Sequence, residues 1–392
     1  MTLAPLPAGL PYWRLSGYYF FYFAFIGVFS PYFGLYLQAL QFSAWDIGLL
    51  MSQMQLMRLA GPYVWGWWAD RRQQRAPIVR LAAVLSLAGF TLFFFFREMA
   101  GMFVAMALLA FFWSAALPLV ETLTFDHLAS RPERYSKIRL WGSIGFICAV
   151  LGAGWALDSV PVEAVLWLCW LLLLGILLLA LLLPEATAAH AHPASPPVRE
   201  ILARPHVRAL FAACFAMSAA HGALYVFLSI HLSGLGYAHT TVGLLWSLGV
   251  LAEIGLFMIM GRLTRRFSLR VLLLASFAAA VLRFVLIGWW ADVLLVILLA
   301  QLLHGLTFGV YHVSAVAAVN RWFPGRCQAR GQALYSSISF GAGGLLGGLL
   351  AGWAWESWGA GWTYSLSALF ALLGLVLIAL WVRPQENPAN GG

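Results

Sequence analysis

Twelve apolar stretches of roughly 20 residues run from Trp13 to Val382, and only four charged Arg or Glu side chains lie well inside them: Arg58, Glu121, Glu253 and Arg283. A charge at the centre of a membrane-spanning helix costs ~2.5–3.5 kcal/mol on insertion scales. Four such costs rival the entire net stability of an ordinary domain, ~5–15 kcal/mol. Residues that expensive mark a substrate or ion pathway, so the pattern predicts a membrane transport protein.

Composition agrees. Hydrophobic residues make up 62% of the 392 and charged ones 9%, far from the half-apolar, quarter-charged mix of soluble domains. Spans are predicted at 13–37, 46–70, 77–97, 101–126, 137–157, 163–183, 207–232, 240–264, 269–290, 292–319, 331–356 and 361–383, each long enough to cross ~30 Å of hydrocarbon. The opening MTLAPLPAGLPYW lacks the charged, apolar and cleavage regions of a signal peptide. With the N-terminus placed in the cytoplasm, all but Arg58, Arg283 and Arg97 of the 23 Lys and Arg fall at cytoplasmic ends or loops. That distribution follows the positive-inside rule. The net charge of +9 is therefore a topology signal, not a nucleic-acid footprint. It implies a bacterial-type cytoplasmic (inner) membrane protein, multi-pass, with both termini cytoplasmic. Cys148, Cys169, Cys214 and Cys327 show no metal-ligand spacing, and neither a metal nor a cofactor is expected.

The chain repeats itself at an offset of 195 residues. Trp45-Asp46-Ile47-Gly48-Leu49-Leu50-Met51-Ser52 maps onto Thr240-Thr241-Val242-Gly243-Leu244-Leu245-Trp246-Ser247, while Gly27 maps onto Gly222 and Gly66 onto Gly261. The expected organisation is a six-span half over 1–183, a cytoplasmic linker over 184–206 and a second six-span half over 207–392. The linker's Pro/Ala/His composition suits exposed chain, and His190 and His192 read as part of it. Duplicated halves that bind substrate at their interface form a known transporter plan.

Two stretches carry a family resemblance. Gly61-Pro-Tyr-Val-Trp-Gly66-Trp-Trp-Ala-Asp70-Arg71-Arg72 resembles the loop 2–3 signature of the major facilitator superfamily, echoed by Gly261-Arg-Leu-Thr-Arg265-Arg266-Phe without its acidic member. Arg139-Leu-Trp-Gly-Ser143, the His221 region, Leu245-Trp-Ser-Leu-Gly249-Val-Leu-Ala-Glu253 and Leu303-His304-Gly305 are similar to the 3-phenylpropionate permease group, near the lactose permease and nucleoside symporter branch. The resemblance implies an all-α fold of twelve transmembrane helices in two pseudo-symmetric halves. It also implies gating by Asp70, Arg71, Arg72 and Arg139, and proton coupling by an acid–Arg–His set, here Glu253, Arg283 and His304.

The residues themselves fit those roles. Glu253 occupies the position in the eighth span that Arg58 occupies in the second, one repeat apart. A buried carboxyl beside an arginine switches protonation on small movements, and histidine titrates near neutrality unaided. Glu121 is the next acid available for coupling. Arg58 suits a substrate anion because a guanidinium grips a carboxylate bidentately and never loses its charge. Tyr18, Tyr22, Phe25, Phe29, Tyr32 and Tyr36 line one face of the first span; Tyr22 and Phe25 could stack on an aromatic substrate, or the stripe could face lipid or neighbouring helices. His221 and His304 are candidate substrate contacts. His312, eight residues past His304, stands ~80° around a regular helix and need not share its space.

The reading is a monomeric secondary transporter, not an enzyme, that takes protons and a small organic anion such as an aromatic carboxylate through a lipid bilayer by alternating access. No Gly-rich Lys-Ser/Thr phosphate loop suggests ATP-driven transport. The alternatives are a proton-coupled sugar or nucleoside symporter, or an exporter of drugs or metabolites.

Overall fold

The computed structural model describes residues 10–72, 74–128, 134–186 and 198–382, less the side chains of Pro62, Asp70 and Arg326. All its regular elements are helical: α1 Tyr12–Ala39, α2 Ala44–Arg72, α3 Ala76–Thr91, α4 Met99–Leu128, α5 Tyr135–Leu157, α6 Ala164–Leu182, α7 Arg199–Leu202, α8 Pro205–Ala220, α9 Gly222–Gly234, α10 His239–Arg266, α11 Leu269–Trp290, α12 Leu294–Leu302, α13 Tyr311–Trp322, α14 Gln328–Ser336 and α15 Gly344–Trp381. Ten continuous helical runs are long and apolar enough to cross a membrane. The last of these, Gln328–Trp381, holds 54 residues, ~80 Å of helix and so twice what a bilayer needs. It breaks at Gly359, whose φ of 76° a side chain would strain, and makes two crossings. α2 completes the twelve; Ser52, Gln53, Gln55 and Arg58 make it the least apolar. The expected linker contains α7, and α8 begins at Pro205 within it; 187–197, with His190 and His192, lies outside the described residues.

Three spans depart from regular helix. The seventh is discontinuous: α8 ends and α9 begins at His221. The tenth widens into a π-helix over Gly305–Val310, just past His304, and the eleventh does so over Ser337–Gly343. π-turns concentrate at functional sites, and broken helices are a recurring way for transporters to build binding sites in mid-membrane.

The chain forms two compact units. The first comprises Met1–Phe29, Ala60–Ala149 and Leu166–Ala191; the second comprises Ser30–Leu59, Val150–Val165 and His192–Gly392. The repeat halves divide the sequence, whereas these units divide its contacts: α1, α2, α5 and, at its first two residues, α6 pass from one unit to the other. In the first unit, α3 is tied to the end of α6. Arg80 donates to the carbonyls of Ala180 and Leu183, and Glu185 accepts the backbone N–H groups of Arg75 and Ala76 at the start of α3. Arg75 also pairs with Asp126. In the second unit, glycines let helices meet backbone to backbone. A Cβ at Gly48 would stand 2.8 Å from the Gly352 Cα, and one at Gly243 would stand 2.7 Å from the Val150 carbonyl.

Candidate functional site

The second unit gathers most of the intramembrane charge. Arg283, on α11, is almost completely buried, and each side of its guanidinium is used. Nε donates to the Ala300 carbonyl at 2.9 Å, one terminal nitrogen to Gln301 Oε1 at 2.8 Å, and the other to Thr307 Oγ1 at 3.1 Å and His304 Nδ1 at 2.9 Å. Ala300 and Gln301 lie on α12, Thr307 on the π-helix that follows it, and His304 between the two. A guanidinium only donates, so His304 Nδ1 carries no proton and the ring is the neutral Nε2–H tautomer. That Nε2 lies 4.0 Å from Glu253 Oε2, aiming an N–H toward the carboxylate of α10.

His221 stands beside this group, its ring centre 6.3 Å from that of His304 and 5.1 Å from Phe284. Its Nδ1 lies 2.8 Å from the Met217 carbonyl, which only accepts, so Nδ1 holds a proton. In the neutral ring Nε2 is then a bare acceptor, buried and without a hydrogen-bond partner. One helical turn on, the Tyr225 phenol lies within electrostatic reach of Glu253, Arg283 and Arg58 together, and its ring stacks toward Trp246 at 6.3 Å. Arg58 is exposed, and among the described residues its guanidinium has no hydrogen-bond or ion-pair partner. Nearby on α2, Gln53 Nε2 and Gln55 Oε1 are buried and unbonded.

Sequence reasoning missed Tyr225, Gln301 and Thr307. Each had a signal. Tyr225 follows His221 by four residues, and Gln301 and Thr307 flank His304 by three, the spacings that share a helix face. His312 also differs from expectation. The rings of His304, Phe308 and His312 form one column, nearly parallel, with centres 5.5 and 6.1 Å apart. The wider turn of the π-helix brings residues four apart into line, where a regular helix would have carried His312 ~80° away. His312 Nδ1 meets the Tyr335 hydroxyl at 3.0 Å.

The remaining predicted residues belong to the first unit. Glu121 accepts from the Tyr135 hydroxyl at 3.1 Å and has Tyr19 and Arg139 in electrostatic range. The Arg139 guanidinium lies over the Phe23 ring at 3.7 Å. The aromatic stripe of α1 is buried at Tyr18, Tyr22, Phe25, Phe29, Tyr32 and Tyr36, so it packs against protein and does not face lipid. Tyr22 stacks on Trp113 at 4.2 Å, and Phe25 approaches the same indole at 4.5 Å. Arg71 and Arg72 are exposed at the end of α2, Arg71 over Trp67. The Asp70 side chain lies outside the described residues.

Twelve crossings, a cation with no ion-pair partner among the described residues and an acid–His–Arg group in mid-membrane are the features of a multi-pass membrane transporter. The chain belongs to the MFS_1 like family, whose model matches residues 12–366, and so to the major facilitator superfamily; it is a transporter and not an enzyme. It is 28% identical over 382 residues to a probable 3-phenylpropionic acid transporter of Escherichia coli (strain K12), covering 96% of this chain and 98% of that one. It is 30% identical over 381 residues to the maltose permease of Geobacillus stearothermophilus, covering 95% and 94%. In fold it is similar to a crystal structure of a mutant of the nucleoside transporter NupG, with a TM-score of 0.84 at 18% identity over 95% of this chain and 98% of that one.

Proposed function

We propose that this chain is a secondary active transporter that couples protons to the movement of a small organic anion, with an aromatic carboxylate as the leading substrate class. The observation that carries the anion is Arg58: an exposed guanidinium midway along α2 that has no hydrogen-bond or ion-pair partner among the described residues, within electrostatic reach of the Tyr225 phenol, as are Glu253 and Arg283. A mid-membrane cation without a counter-ion is tolerated where a ligand or water supplies one. Likeness to the probable 3-phenylpropionic acid transporter supports the aromatic class, as do the Tyr225 and Trp246 rings.

Glu253 is the proton carrier in this reading. His304, held neutral by Arg283, positions it, and Glu121 is the reserve acid. His221 contacts the substrate. Tyr22 and Phe25 would act by stacking, although their rings already pair with Trp113. Asp70, Arg71, Arg72 and Arg139 gate the cytoplasmic side. The protein works as a monomer of two six-helix halves in the bacterial inner membrane, with both termini cytoplasmic, by alternating access.

One observation favours a second reading. The bare His221 Nε2 acceptor and the unbonded amide nitrogens of Gln53 and Gln301 are what a neutral polyol would need, and the maltose permease is a relative. A thermal-shift panel on the purified protein separates the two, since a ligand stabilises the state it binds. Aromatic carboxylates should raise the melting temperature. A shift with maltose or nucleosides and none with any carboxylate would replace the anion by a neutral substrate.

A further inference from the structure

At the helix ends remote from the termini, two carboxylates close the second unit by the same device used twice. Asp158 follows α5. It accepts the backbone N–H groups of His239 at 2.7 Å and Thr240 at 3.0 Å, the first of α10, together with the Thr240 hydroxyl and an approach of 3.2 Å by His239 Nδ1. Glu356, on α15, accepts the Trp45 N–H at 2.8 Å, at the start of α2. The repeat relates the two: Trp45 and Thr240 are its equivalent positions, and Asp158 and Glu356 each lie where an odd-numbered span reaches the same face. A carboxylate from each half of the sequence thus caps a helix start in the other half.

The caps differ in how far they are needed. The residue before α10 is Ala238, which has no side-chain cap to offer, so Asp158 supplies what the helix's own half lacks. α2 has a cap of its own: the Ser43 hydroxyl accepts from the Asp46 N–H at 3.1 Å, and Asp46 accepts in return from the Ser43 N–H and hydroxyl. Glu356 only adds to it. Around both caps the backbones meet through Gly48 with Gly352 and Gly243 with Val150.

We propose that Asp158 and Glu356 are reciprocal latches, positioning residues of the transport cycle. Helix-start N–H groups need an acceptor. A cap placed in the same half would serve stability alone. A cap from the opposite half exists only while α2 and α5 lie against α10 and α15, so its free energy enters the balance between closed and open forms of this face. Asp158 contributes the larger share. This rests on the alternating-access reading above.

The test uses Ser52→Cys in an otherwise cysteine-free chain. Ser52 is buried, packs against Gly348 and lies seven residues, ~10 Å, inside Trp45. The readout is its rate of modification by a membrane-impermeant thiol reagent added at the face opposite the termini. Losing a helix cap changes an equilibrium by roughly two- to thirtyfold, so Asp158→Ala should speed modification by about tenfold. Asp158→Asn keeps one acceptor oxygen and should give a smaller rise, Glu356→Gln a rise of about two- to threefold, and Asp158→Asn with Glu356→Gln more than either alone. The melting profile and the ligand-induced thermal shift should stay intact in every variant. Unchanged modification in the folded double variant overturns the proposal. So does faster modification accompanied by loss of cooperative melting, which marks a merely structural cap. Should Asp158→Ala fail to fold, the Asn and Gln variants decide alone. Loss of the carboxylate-induced shift in the parent chain would instead refute the anion-substrate reading and leave the latch result standing.

Discussion

The Arg283 guanidinium donates to His304 Nδ1 at 2.9 Å, and that bond decides which nitrogen of the histidine can face Glu253. With Nδ1 occupied as an acceptor, the proton must sit on Nε2, 4.0 Å from the Glu253 carboxylate. His304 cannot take a second proton without giving up Arg283. The Arg283 bond thus fixes the tautomer of His304 and leaves its N–H on the side of Glu253.

Arg283 should accordingly be a structural requirement of the site. Arg283→Met would leave Gln301 Oε1, Thr307 Oγ1 and His304 Nδ1 buried without their shared donor, and an orphaned buried polar group costs about 1–3 kcal/mol. Thermal denaturation in detergent should show a clear loss for Met and a partial recovery for Arg283→Lys, which keeps the charge but cannot reach three directions at once. Equal stability of Met and wild type would mean that the site relaxes around the loss.

Arg58 should behave in the opposite way. It is exposed and makes no hydrogen bond or ion pair among the described residues, so Arg58→Ala should leave the melting temperature within a few degrees while abolishing the shift produced by an aromatic carboxylate. Arg58→Lys keeps a point charge without the planar fork, and affinity should fall roughly tenfold, about 1.4 kcal/mol. Wild-type affinity in Arg58→Ala would exclude it from the site.

The twelve crossings were legible because hydrophobic length and positive-inside asymmetry are local, additive signals. Even Gly359, the break inside the longest helical run, falls in the short gap between the predicted spans 331–356 and 361–383. Arg283 and Glu253 were legible as charges in costly places, and His304 through the family resemblance. The rest depended on phase. The alignment of His312 with His304 did not follow from regular-helix spacing, and the π-turn over Gly305–Val310 has no sequence pattern that announces it. The aromatic face of α1 was visible as a stripe, but whether it met lipid or protein turned on Trp113 of α4, ~90 residues away in sequence. Asp158 and Glu356 were invisible for the same reason: a cap supplied from the other half of the sequence leaves no local signature.

Asp158 also makes a prediction about pH. Its bonds to the Thr240 hydroxyl, the Thr240 and His239 N–H groups and the His239 ring hold its carboxyl below the usual carboxylate range. A depressed native pKa gives stabilisation that is present above the ordinary aspartate value and lost only as pH falls through the lowered one. The Asp158 cap should hold from about pH 8 to about pH 5, above the unperturbed value of about 3.9. The difference in Ser52→Cys modification between Asp158 and Asp158→Asn chains should therefore be flat across that range. A difference that vanishes by about pH 5 would contradict the lowered pKa.

Glu253 carries the last prediction. Its carboxylate is the acidic group facing the His304 N–H, and Glu253→Gln keeps the size and hydrogen bonding of the side chain while fixing it in a form that resembles the protonated acid. A symporter must release its proton inside before the empty carrier returns, and an amide releases none. Accumulation of substrate against a gradient, driven by a pH difference across proteoliposomes, should therefore collapse. Exchange of internal for external substrate should persist, because the loaded carrier crosses in both directions without deprotonating. Wild-type accumulation in Glu253→Gln would move the coupling role elsewhere, with Glu121 and its Tyr135 partner the next pair to test. Loss of accumulation and exchange together would show that Glu253 binds substrate or supports the Arg283–His304 group directly. Survival of exchange alone is the signature that sets a proton carrier apart from both.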